Sequence, residues 1–359
     1  MNRSPKMQFD PIKDSLPFVA LMLAVAILFA AAFAMLFALH SHANKLPEVP
    51  DEPSAPVGSF GGDYEGNGDP IYPTTPSRSD YLSKRSAGAV TFTNEIKSNN
   101  TILVDLESYT STVEKGADAR IYPASMTKVM TLLVVCENVT NLTEKLTVTE
   151  EMVKYKENND GSGENFAAGE ALTVKDFIYL IIYDSNTIAC QILAEHIAGS
   201  EAAFVAMMNA KADALGLDGT HFENATGLYH ENHYSTCREI AAIMAYALDN
   251  TLAKNVLCSF NGYPIKVYDS DSGKSVRSLT VYTDWYSGRF HDNAKLKTVT
   301  VKGGKTGYVD ESGISLVSYA ETPEGKGYIN VIVGKPKGEG LSANDSTAEV
   351  KYIYNNYAK

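Results

Sequence analysis

The sequence predicts an α+β domain in which an antiparallel sheet is flanked by helices, with a helical subdomain and a single transmembrane helix in front. Three observations lead to this prediction. Strand patterns occur at both ends of the long C-terminal part, helical patterns occupy its middle, and an uncharged apolar stretch covers residues 18–39. Strands from both ends that join one sheet, with helices between them, are typical of the α+β class.

The apolar stretch 18–39 is long enough to cross the roughly 30 Å hydrocarbon core of a membrane as a helix. Basic side chains in residues 1–17 and acidic ones beyond the stretch put residues 1–17 in the cytoplasm and the rest outside the membrane. The alternative is a cleaved secretory signal that ends at Ser41-His42-Ala43, although the apolar part of such signals usually has about 7–15 residues. Both interpretations export the domain, and we favour the uncleaved anchor.

Residues 40–88 are rich in proline, glycine, serine and aspartate. Such a segment cannot bury enough apolar surface to offset the entropy lost on folding. We therefore predict a disordered linker over 40–88 and a folded domain over 89–359.

Within the folded domain, alternating apolar residues predict strands and a 3.6-residue apolar period predicts helices. The predicted strands cover residues 101–106, 112–115, 299–301, 314–319 and 328–333. The predicted helices cover residues 174–183, 188–198, 202–215, 237–248 and 346–357, in addition to one that begins near Ser125.

Charge and cysteine content exclude some classes of function. The net charge is −12 and there is no basic cluster, which argues against nucleic acid as a partner. The four cysteines show no metal-binding spacing, so no metal site is predicted. A disulfide between Cys237 and Cys258 is possible, but nothing in the sequence requires it.

The first chemical motif is Ser-Met-Thr-Lys at 125–128. Its serine and lysine are three residues apart and therefore share a helix face. The apolar run 129–136 follows, and a helix that is apolar on nearly every side is buried. We expect Ser125 and Lys128 on the first turn of a central helix. A hydroxyl at a helix start, with an amine close enough to take its proton, is the arrangement of an activated nucleophile, although a serine there is more commonly only an N-cap.

Two more polar segments lie downstream. Residues 184–187 (Asp-Ser-Asn-Thr) connect two apolar helices and can point hydroxyl and amide groups into a cleft, or simply cap the second helix. Residues 303–307 (Gly-Gly-Lys-Thr-Gly) begin where a predicted strand ends, and their glycines permit close backbone approach. This is not a phosphate-binding loop, because its glycines do not open a helix.

In this order, the three motifs resemble the set found in penicillin-binding proteins and class A β-lactamases. From about residue 101 onward the chain resembles the serine D-alanyl-D-alanine carboxypeptidases, the low-molecular-mass penicillin-binding proteins of peptidase family S11. The matching stretches are Pro-Ala-Ser-Met-Thr-Lys (123–128), Leu-Ala-Glu-His-Ile-Ala-Gly-Ser (193–200), Leu-Gly-Leu-Asp-Gly-Thr-His-Phe (215–222), Ala-Thr-Gly-Leu (225–228), His-Tyr-Ser-Thr (233–236) and Gly-Gly-Lys-Thr-Gly-Tyr (303–308). The resemblance implies a β-lactamase/DD-peptidase-like fold.

The chain departs from the family at the middle motif, which is Ser-x-Asn in the relatives. Ungapped alignment puts the family's serine at Ser185 and its asparagine at Thr187. A shifted register would instead use Asp184 and Asn186. We prefer the ungapped register, in which Thr187 offers a hydroxyl but lacks an amide that both donates and accepts hydrogen bonds.

The resemblance implies that Ser125 attacks the bond between the two terminal D-alanines of a peptidoglycan stem peptide and forms an acyl-enzyme that water then releases. Lys128 would be the base, made uncharged by burial and by the neighbouring cation Lys305. Ser185 would relay a proton to the leaving amine. No metal or cofactor is required, and β-lactam antibiotics should acylate Ser125.

The resemblance also implies the groups that hold the substrate. The substrate-binding residues would be Lys305, Thr306, Gly307, Thr187 and Asn186. The developing oxyanion would lie between the backbone N–H groups of Ser125 and Tyr308. The protein would be anchored in a bacterial cell membrane by residues 18–39, with its catalytic domain outside the cytoplasm, or secreted if that segment is cleaved.

Three other functions compete with this one. A β-lactamase needs a carboxylate placed for deacylation, and the corresponding region contains Glu164-Asn165 without the usual spacing. A transpeptidase would use the same residues, and a catalytically silent wall-binding protein would explain Thr187 but not the retained Ser125, Lys128 and Lys305.

The histidines offer no competing catalytic triad. We interpret His196 as a structural residue, and three other histidines are possible substrate contacts. Those three are His221, His230 and His233.

Overall fold

The structure is a computed structural model, and it describes residues 81–92, 96–259, 261–283, 295–338 and 342–359. Residues 1–17, the predicted membrane segment 18–39 and most of the predicted linker lie outside these ranges. Within the described part of the chain, no helix combines the length and the apolar character that crossing a bilayer requires.

The strands in chain order are β1 Lys84–Thr91, β2 Asn100–Asp105, β3 Thr110–Lys115, β4 Lys145–Thr147, β5 Glu170–Thr173, β6 Tyr263–Asp269, β7 Ser275–Val281, β8 Thr300–Val309, β9 Gly313–Glu321 and β10 Gly327–Val333. The helices are α1 Lys128–Asn138, α2 Glu150–Asn158, α3 Val174–Tyr183, α4 Thr187–Ala198, α5 Glu201–Leu215, α6 Cys237–Asp249, α7 Thr251–Leu257 and α8 Ala343–Tyr357. A 3-10 helix, Ala124–Thr127, runs directly into α1.

Among the described residues, six strands form the main sheet in the order β1-β3-β2-β10-β9-β8. The prediction that both ends of the domain contribute to one sheet is confirmed, because β10 pairs with β2 as well as with β9. Neighbours are antiparallel except at one edge, where β1 runs parallel to β3. The expectation of a wholly antiparallel sheet is wrong at that strand. β1 begins at Lys84, so the fold also starts a few residues before the predicted boundary at 89.

A second sheet, in the order β4-β5-β6-β7, is absent from the sequence predictions. Two of its strands, β4 and β5, have only three and four residues. Runs of this length carry too little alternation to be recognised, and their pairing partners lie far away in the chain. The part of the chain that the structure describes is therefore α+β with two sheets.

Helix α1 is the centre of the helical layer. Its residues from Lys128 to Cys136 are all buried, and it packs against α3, α4, α5 and α6. The all-round apolar character predicted this position correctly. The start of the helix differs from the prediction, because Ser125 lies on the preceding 3-10 helix and Lys128 is the first residue of α1.

The main sheet is covered by helices on both faces. Helix α6 packs against β2, β9 and β10, and α8 packs against β3, β9 and β10. Tyr354 of α8 is fully buried, and its hydroxyl donates a 3.0 Å hydrogen bond to the carbonyl oxygen of Ser318 in β9. These contacts fix β9 relative to the helices on both faces.

All four cysteines are free thiols. The possible disulfide between Cys237 and Cys258 is therefore not formed. Cys237 is fully buried in α6, where it packs as a small apolar side chain.

Candidate active site

Ser125 is held in position by close backbone packing on two sides. The preceding residue, Ala124, has a φ of 51°, which non-glycine residues rarely adopt. Gly227 approaches Ala124 so closely that a Cβ atom at Gly227 would lie 2.0 Å from the Ala124 carbonyl oxygen. On the other side, a Cβ atom at Gly307 of β8 would lie 3.0 Å from the Ser125 nitrogen. The candidate nucleophile Ser125 therefore follows a strained residue and packs closely between the loop that contains Gly227 and strand β8.

Lys128 reaches Ser125 from inside the protein. Its Nζ atom lies 3.1 Å from Ser125 Oγ and donates a 2.6 Å hydrogen bond to the carbonyl oxygen of Thr226. The side chain is 1% exposed. Burial lowers the pKa of Lys128 from its ordinary value, and the nearby Asp184 opposes this effect. Lys305, which the sequence suggested as the cation responsible, is not among the groups that cause this shift. Desolvation is the main cause.

Ser185 completes the contact with the nucleophile. Its hydroxyl donates a 3.1 Å hydrogen bond to Ser125 Oγ. The φ of Ser185 is 53°, a second strained non-glycine conformation in the same site. Such strain costs about 1–3 kcal/mol and persists where the surroundings hold the backbone in place. Ser185 therefore occupies the position that the ungapped register expects.

Thr187 and Asn186 have different environments. Thr187 is 1% exposed, begins α4 and lines the same cavity as Ser125. Asn186 is fully buried and caps α4 by accepting a 3.0 Å hydrogen bond from the Ala189 N–H. Its Nδ2 donates to Asp184 and to the Glu164 carbonyl. Both ends of the Asn186 amide therefore have partners within the fold, and its contact with a substrate stays a prediction.

The Lys-Thr-Gly segment lies within β8, the strand at the end of the main sheet's order. Thr306 and Gly307 line the cavity beside Ser125, as does Tyr308. Lys305 is 2% exposed, is not part of the cavity wall, and its Nζ donates to the Thr306 carbonyl oxygen. The direct contact of Lys305 with a substrate stays a prediction.

One cavity of about 360 Å³ brings these groups together. The residues that line it are Ser125, Lys128, Asp160, Ser162, Ser185, Thr187, Thr226, Gly227, Leu228, Thr306, Gly307, Tyr308, Val309 and Ile314. A nucleophile, a buried amine, a second hydroxyl and a strand edge around one cleft form the constellation expected for acyl transfer.

The sequence did not assign a role to several of these residues. The Thr226 carbonyl oxygen accepts a hydrogen bond from Lys128. A backbone acceptor cannot be recognised from the type of its side chain. The Ala-Thr-Gly-Leu stretch at 225–228 could have indicated this contact. Asp160 and Ser162 lie in a polar segment that offers no apolar period. Their place in the cavity depends on how that segment folds back over the site.

The remaining candidates lie elsewhere. His233 is 2% exposed, and its Nε2 is 2.8 Å from Thr127 Oγ1, while burial lowers its pKa to about 3. This histidine is a neutral structural group. His221 and His230 lie near Glu223, outside the wall of the Ser125 cavity. His196, which lies on α4, is near Glu144.

The carboxylate of Glu164, considered for deacylation, does not line the cavity either. It lies 3.6 Å from the guanidinium of Arg277. The acidic residue in the cavity wall is Asp160.

Comparison with known proteins agrees with this geometry. The chain is 29% identical over 237 residues to the D-alanyl-D-alanine carboxypeptidase DacF of Bacillus subtilis. This match covers 63% of this chain and 54% of that protein. The chain is 32% identical over 235 residues to DacA of Escherichia coli, covering 63% and 53%. The chain thus spans about half the length of these curated relatives.

A solved structure is similar over most of the domain. The Streptomyces K15 DD-transpeptidase superposes with a TM-score of 0.65 at 25% identity, covering 74% of this chain and 98% of that one. The family model for D-alanyl-D-alanine carboxypeptidases matches residues 87–337, which include every catalytic candidate. The chain therefore belongs to the D-alanyl-D-alanine carboxypeptidase family, peptidase family S11.

Proposed function

We propose that this protein is a serine D-alanyl-D-alanine carboxypeptidase that removes the terminal D-alanine from peptidoglycan stem pentapeptides and is acylated by β-lactams. One observation carries the proposal. Ser125 Oγ lies 3.1 Å from both Lys128 Nζ and Ser185 Oγ in a cavity bounded by β8. Family membership supports the same chemistry.

In the proposed reaction Lys128 accepts the proton of Ser125. A neutral amine has two N–H groups and one lone pair, and the Thr226 carbonyl engages one N–H at 2.6 Å. This contact orients the amine, so that its lone pair can face the hydroxyl. Because burial disfavours the charged form, the amine is neutral over a wider pH range than an exposed lysine. The Ser125 oxygen then bonds to the carbonyl carbon of the penultimate D-alanine.

The leaving amine of the terminal D-alanine needs a proton. Ser185 lies within hydrogen-bond distance of Ser125 Oγ and is the group best placed to pass that proton on. The C–N bond breaks, D-alanine leaves and the acyl group remains on Ser125. Water then attacks the ester, and the shortened peptide is released while Ser125 regains its proton.

The β8 edge would hold the rest of the substrate. Its Thr306 hydroxyl would bind the free carboxylate, with Lys305 contributing positive charge from behind the cavity wall. Backbone N–H groups of Ser125 and Tyr308 would stabilise the oxyanion, and the loss of one such donor in other enzymes costs about 3–4 kcal/mol. Gly307 permits this close approach because its missing side chain leaves space beside Ser125.

We also propose that residues 18–39 anchor the domain in the bacterial membrane, with the catalytic part outside the cytoplasm. The apolar length and the flanking charges support this. Fractionation of cells followed by sequencing of the mature N-terminus tests it. A soluble protein that begins after residue 43 would indicate a cleaved signal instead.

Fluorescent penicillin and a peptide ending in D-Ala-D-Ala test the catalytic proposal. The protein should become covalently labelled, Ser125→Ala should not, and the peptide should yield free D-alanine. Adding an amine acceptor distinguishes a transpeptidase, which would form a longer peptide in place of hydrolysis. A labelled protein that releases no D-alanine, with or without an acceptor, would contradict the proposal.

A further inference from the structure

Lys156 on α2 is a buried lysine that the proposed reaction does not use. It is 6% exposed. Its Nζ donates to the carbonyl oxygens of Gly163 and Glu164, the latter at 3.0 Å, and to Asn165 Oδ1 at 2.6 Å. Burying an ammonium group costs several kcal/mol unless hydrogen bonds compensate for the lost water. The three acceptors all belong to the segment 161–165, so the hydrogen bonds of Lys156 hold this segment in place.

The other side of the same segment contacts the backbone around Ser185. Ser162 Oγ donates a 2.5 Å hydrogen bond to the Ser185 carbonyl oxygen, and the Thr187 N–H donates a 3.0 Å bond to the Ser162 carbonyl. Ser162 thus holds the chain on both sides of residue 186. It also lines the cavity.

Asp184 holds the same segment through hydrogen bonds of its own. Its Oδ2 accepts hydrogen bonds from the Glu164 N–H and from Asn186 Nδ2. The packing is close, since a Cβ atom at Gly163 would lie 2.6 Å from the Asn186 Cα atom. The segment 161–165 is therefore held both by the buried Lys156 and by the half-buried Asp184.

This support acts on a strained residue. Ser185 has a φ of 53° and would relax toward an ordinary conformation if its surroundings loosened. Its hydroxyl would then leave Ser125 Oγ, from which it is 3.1 Å away. We infer that Lys156 is a positioning residue, which holds segment 161–165 against residues 184–187 and thereby keeps the Ser185 hydroxyl on Ser125. The inference rests on the proposed function.

The test compares Lys156→Met with Lys154→Met. Methionine keeps the length and apolar stem of the lysine but removes its donors. Lys154 lies on the same helix, is 62% exposed and pairs with Glu150, so it is a matched surface control. The concentration of folded sites is titrated with fluorescent penicillin, and turnover of a D-Ala-D-Ala peptide is expressed per titrated site. This normalisation removes any effect of Lys156 on stability alone.

For Lys156→Met we expect kcat per site to fall at least about 10-fold with KM changed by less than about 3-fold, because the proton relay and not substrate binding is misplaced. Lys154→Met should stay within about 2-fold of the parental protein. Should Lys156→Met fail to fold, Ser162→Ala removes the hydrogen bond that the segment donates to the Ser185 carbonyl oxygen, and the same loss of kcat is expected.

The inference would be overturned if the variant that folds kept a kcat per titrated site within about 2-fold of the parental value. The proposed function would then remain intact. A parental protein that takes no penicillin label and releases no D-alanine would overturn both.

Discussion

The Nζ atom of Lys128 lies 3.1 Å from Ser125 Oγ and 2.6 Å from the carbonyl oxygen of Thr226, in a side chain that is almost completely buried. Two different elements create this geometry. The 3-10 helix that precedes α1 carries the serine, and the loop at 225–228 supplies the carbonyl. The amine has no aqueous surroundings to stabilise its charge, so its reactivity depends on these two contacts.

Replacing Lys128 with methionine should abolish the base without disturbing the packing. We expect acylation by fluorescent penicillin to slow by at least about 100-fold, the usual contribution of a positioned base. The melting temperature should be unchanged or higher, because an apolar side chain of similar size replaces a buried amine. Labelling at the parental rate would show that another group activates Ser125.

The pH dependence of acylation should reveal the same amine. The base must be uncharged, so the second-order rate of labelling should rise with pH as Lys128 loses its proton. Burial lowers the pKa of Lys128 below its ordinary value of 10.5, which moves this rise to lower pH. Lys128→Met should lose the rise. A parental rate that stays flat until pH approaches 10.5 would contradict a lowered pKa.

Gly227 should be intolerant of any side chain. It has a φ of 82°, and a Cβ atom there would lie 2.0 Å from the Ala124 carbonyl oxygen. Gly199 is a matched control, because its φ is 78° but a Cβ atom would meet nothing within 4 Å. Gly199→Ala should cost only the strain of a left-handed alanine, about 1–2 kcal/mol of unfolding free energy.

Gly227→Ala should cost more than this and should also slow penicillin acylation, since the clash displaces the backbone that precedes Ser125. Chemical denaturation and labelling kinetics measure the two effects separately. Equal losses of stability in the two variants, with acylation unchanged, would mean that the Gly227 contact does not position the nucleophile.

Most of the fold around this site could be predicted from the sequence. The helices at 174–183, 188–198, 202–215, 237–248 and 346–357 are all present, with ends within one turn of those predicted. Their apolar faces are long and regular, and such patterns are local. The second sheet could not be predicted, because β5 and β6 pair across about a hundred residues and neither pattern indicates its partner.

The site residues could be predicted where they belong to a sequence motif with a known chemical role. Ser125, Lys128 and Ser185 stand in recognisable motifs, and the structure brings them together. Lys156 could not be found in this way, because it lies among polar residues and its partners are mostly backbone oxygens. The position of Lys305 behind the cavity wall likewise depends on side-chain direction, which the motif alone does not determine.

Thr187 should contribute to substrate binding through its hydroxyl. Thr187→Val keeps the shape and removes that hydroxyl, so we expect KM for a D-Ala-D-Ala peptide to rise about 5- to 10-fold, equivalent to one hydrogen bond of about 1 kcal/mol. Thr187→Ser keeps the hydroxyl and should stay within about 2-fold. Thr187→Asn restores the residue usual in the family and should preserve or raise turnover. Unchanged kinetics in the valine variant would show that the hydroxyl makes no contact with substrate.

Stability in acid should depend on Glu114 of β3, which is 6% exposed. Arg238 donates a 2.7 Å hydrogen bond to Glu114 Oε1, and Ser111 and Arg85 also donate to this carboxylate. Burial alone would raise the pKa of Glu114, but these hydrogen bonds outweigh it and the pKa is lowered. Because the folded pKa lies below the unfolded one, the group stabilises the protein above pH about 4.5, and this contribution is lost as pH falls through the folded pKa.

Glu114→Gln should therefore lower the unfolding free energy by about 1.5–3 kcal/mol at pH 7, the range for hydrogen bonds to charged groups. As pH falls through the lowered folded pKa of Glu114, the difference from the parental protein should shrink, because the parental carboxyl then becomes neutral as well. Glu150→Gln is the control: Glu150 pairs with Lys154 on the surface and should contribute no more than about 0.5 kcal/mol. Urea denaturation of all three proteins at pH 7 and at successively lower pH measures these differences. A loss in Glu114→Gln that is as small as in Glu150→Gln, or that does not diminish in acid, would show that the buried carboxylate does not stabilise the edge of the sheet.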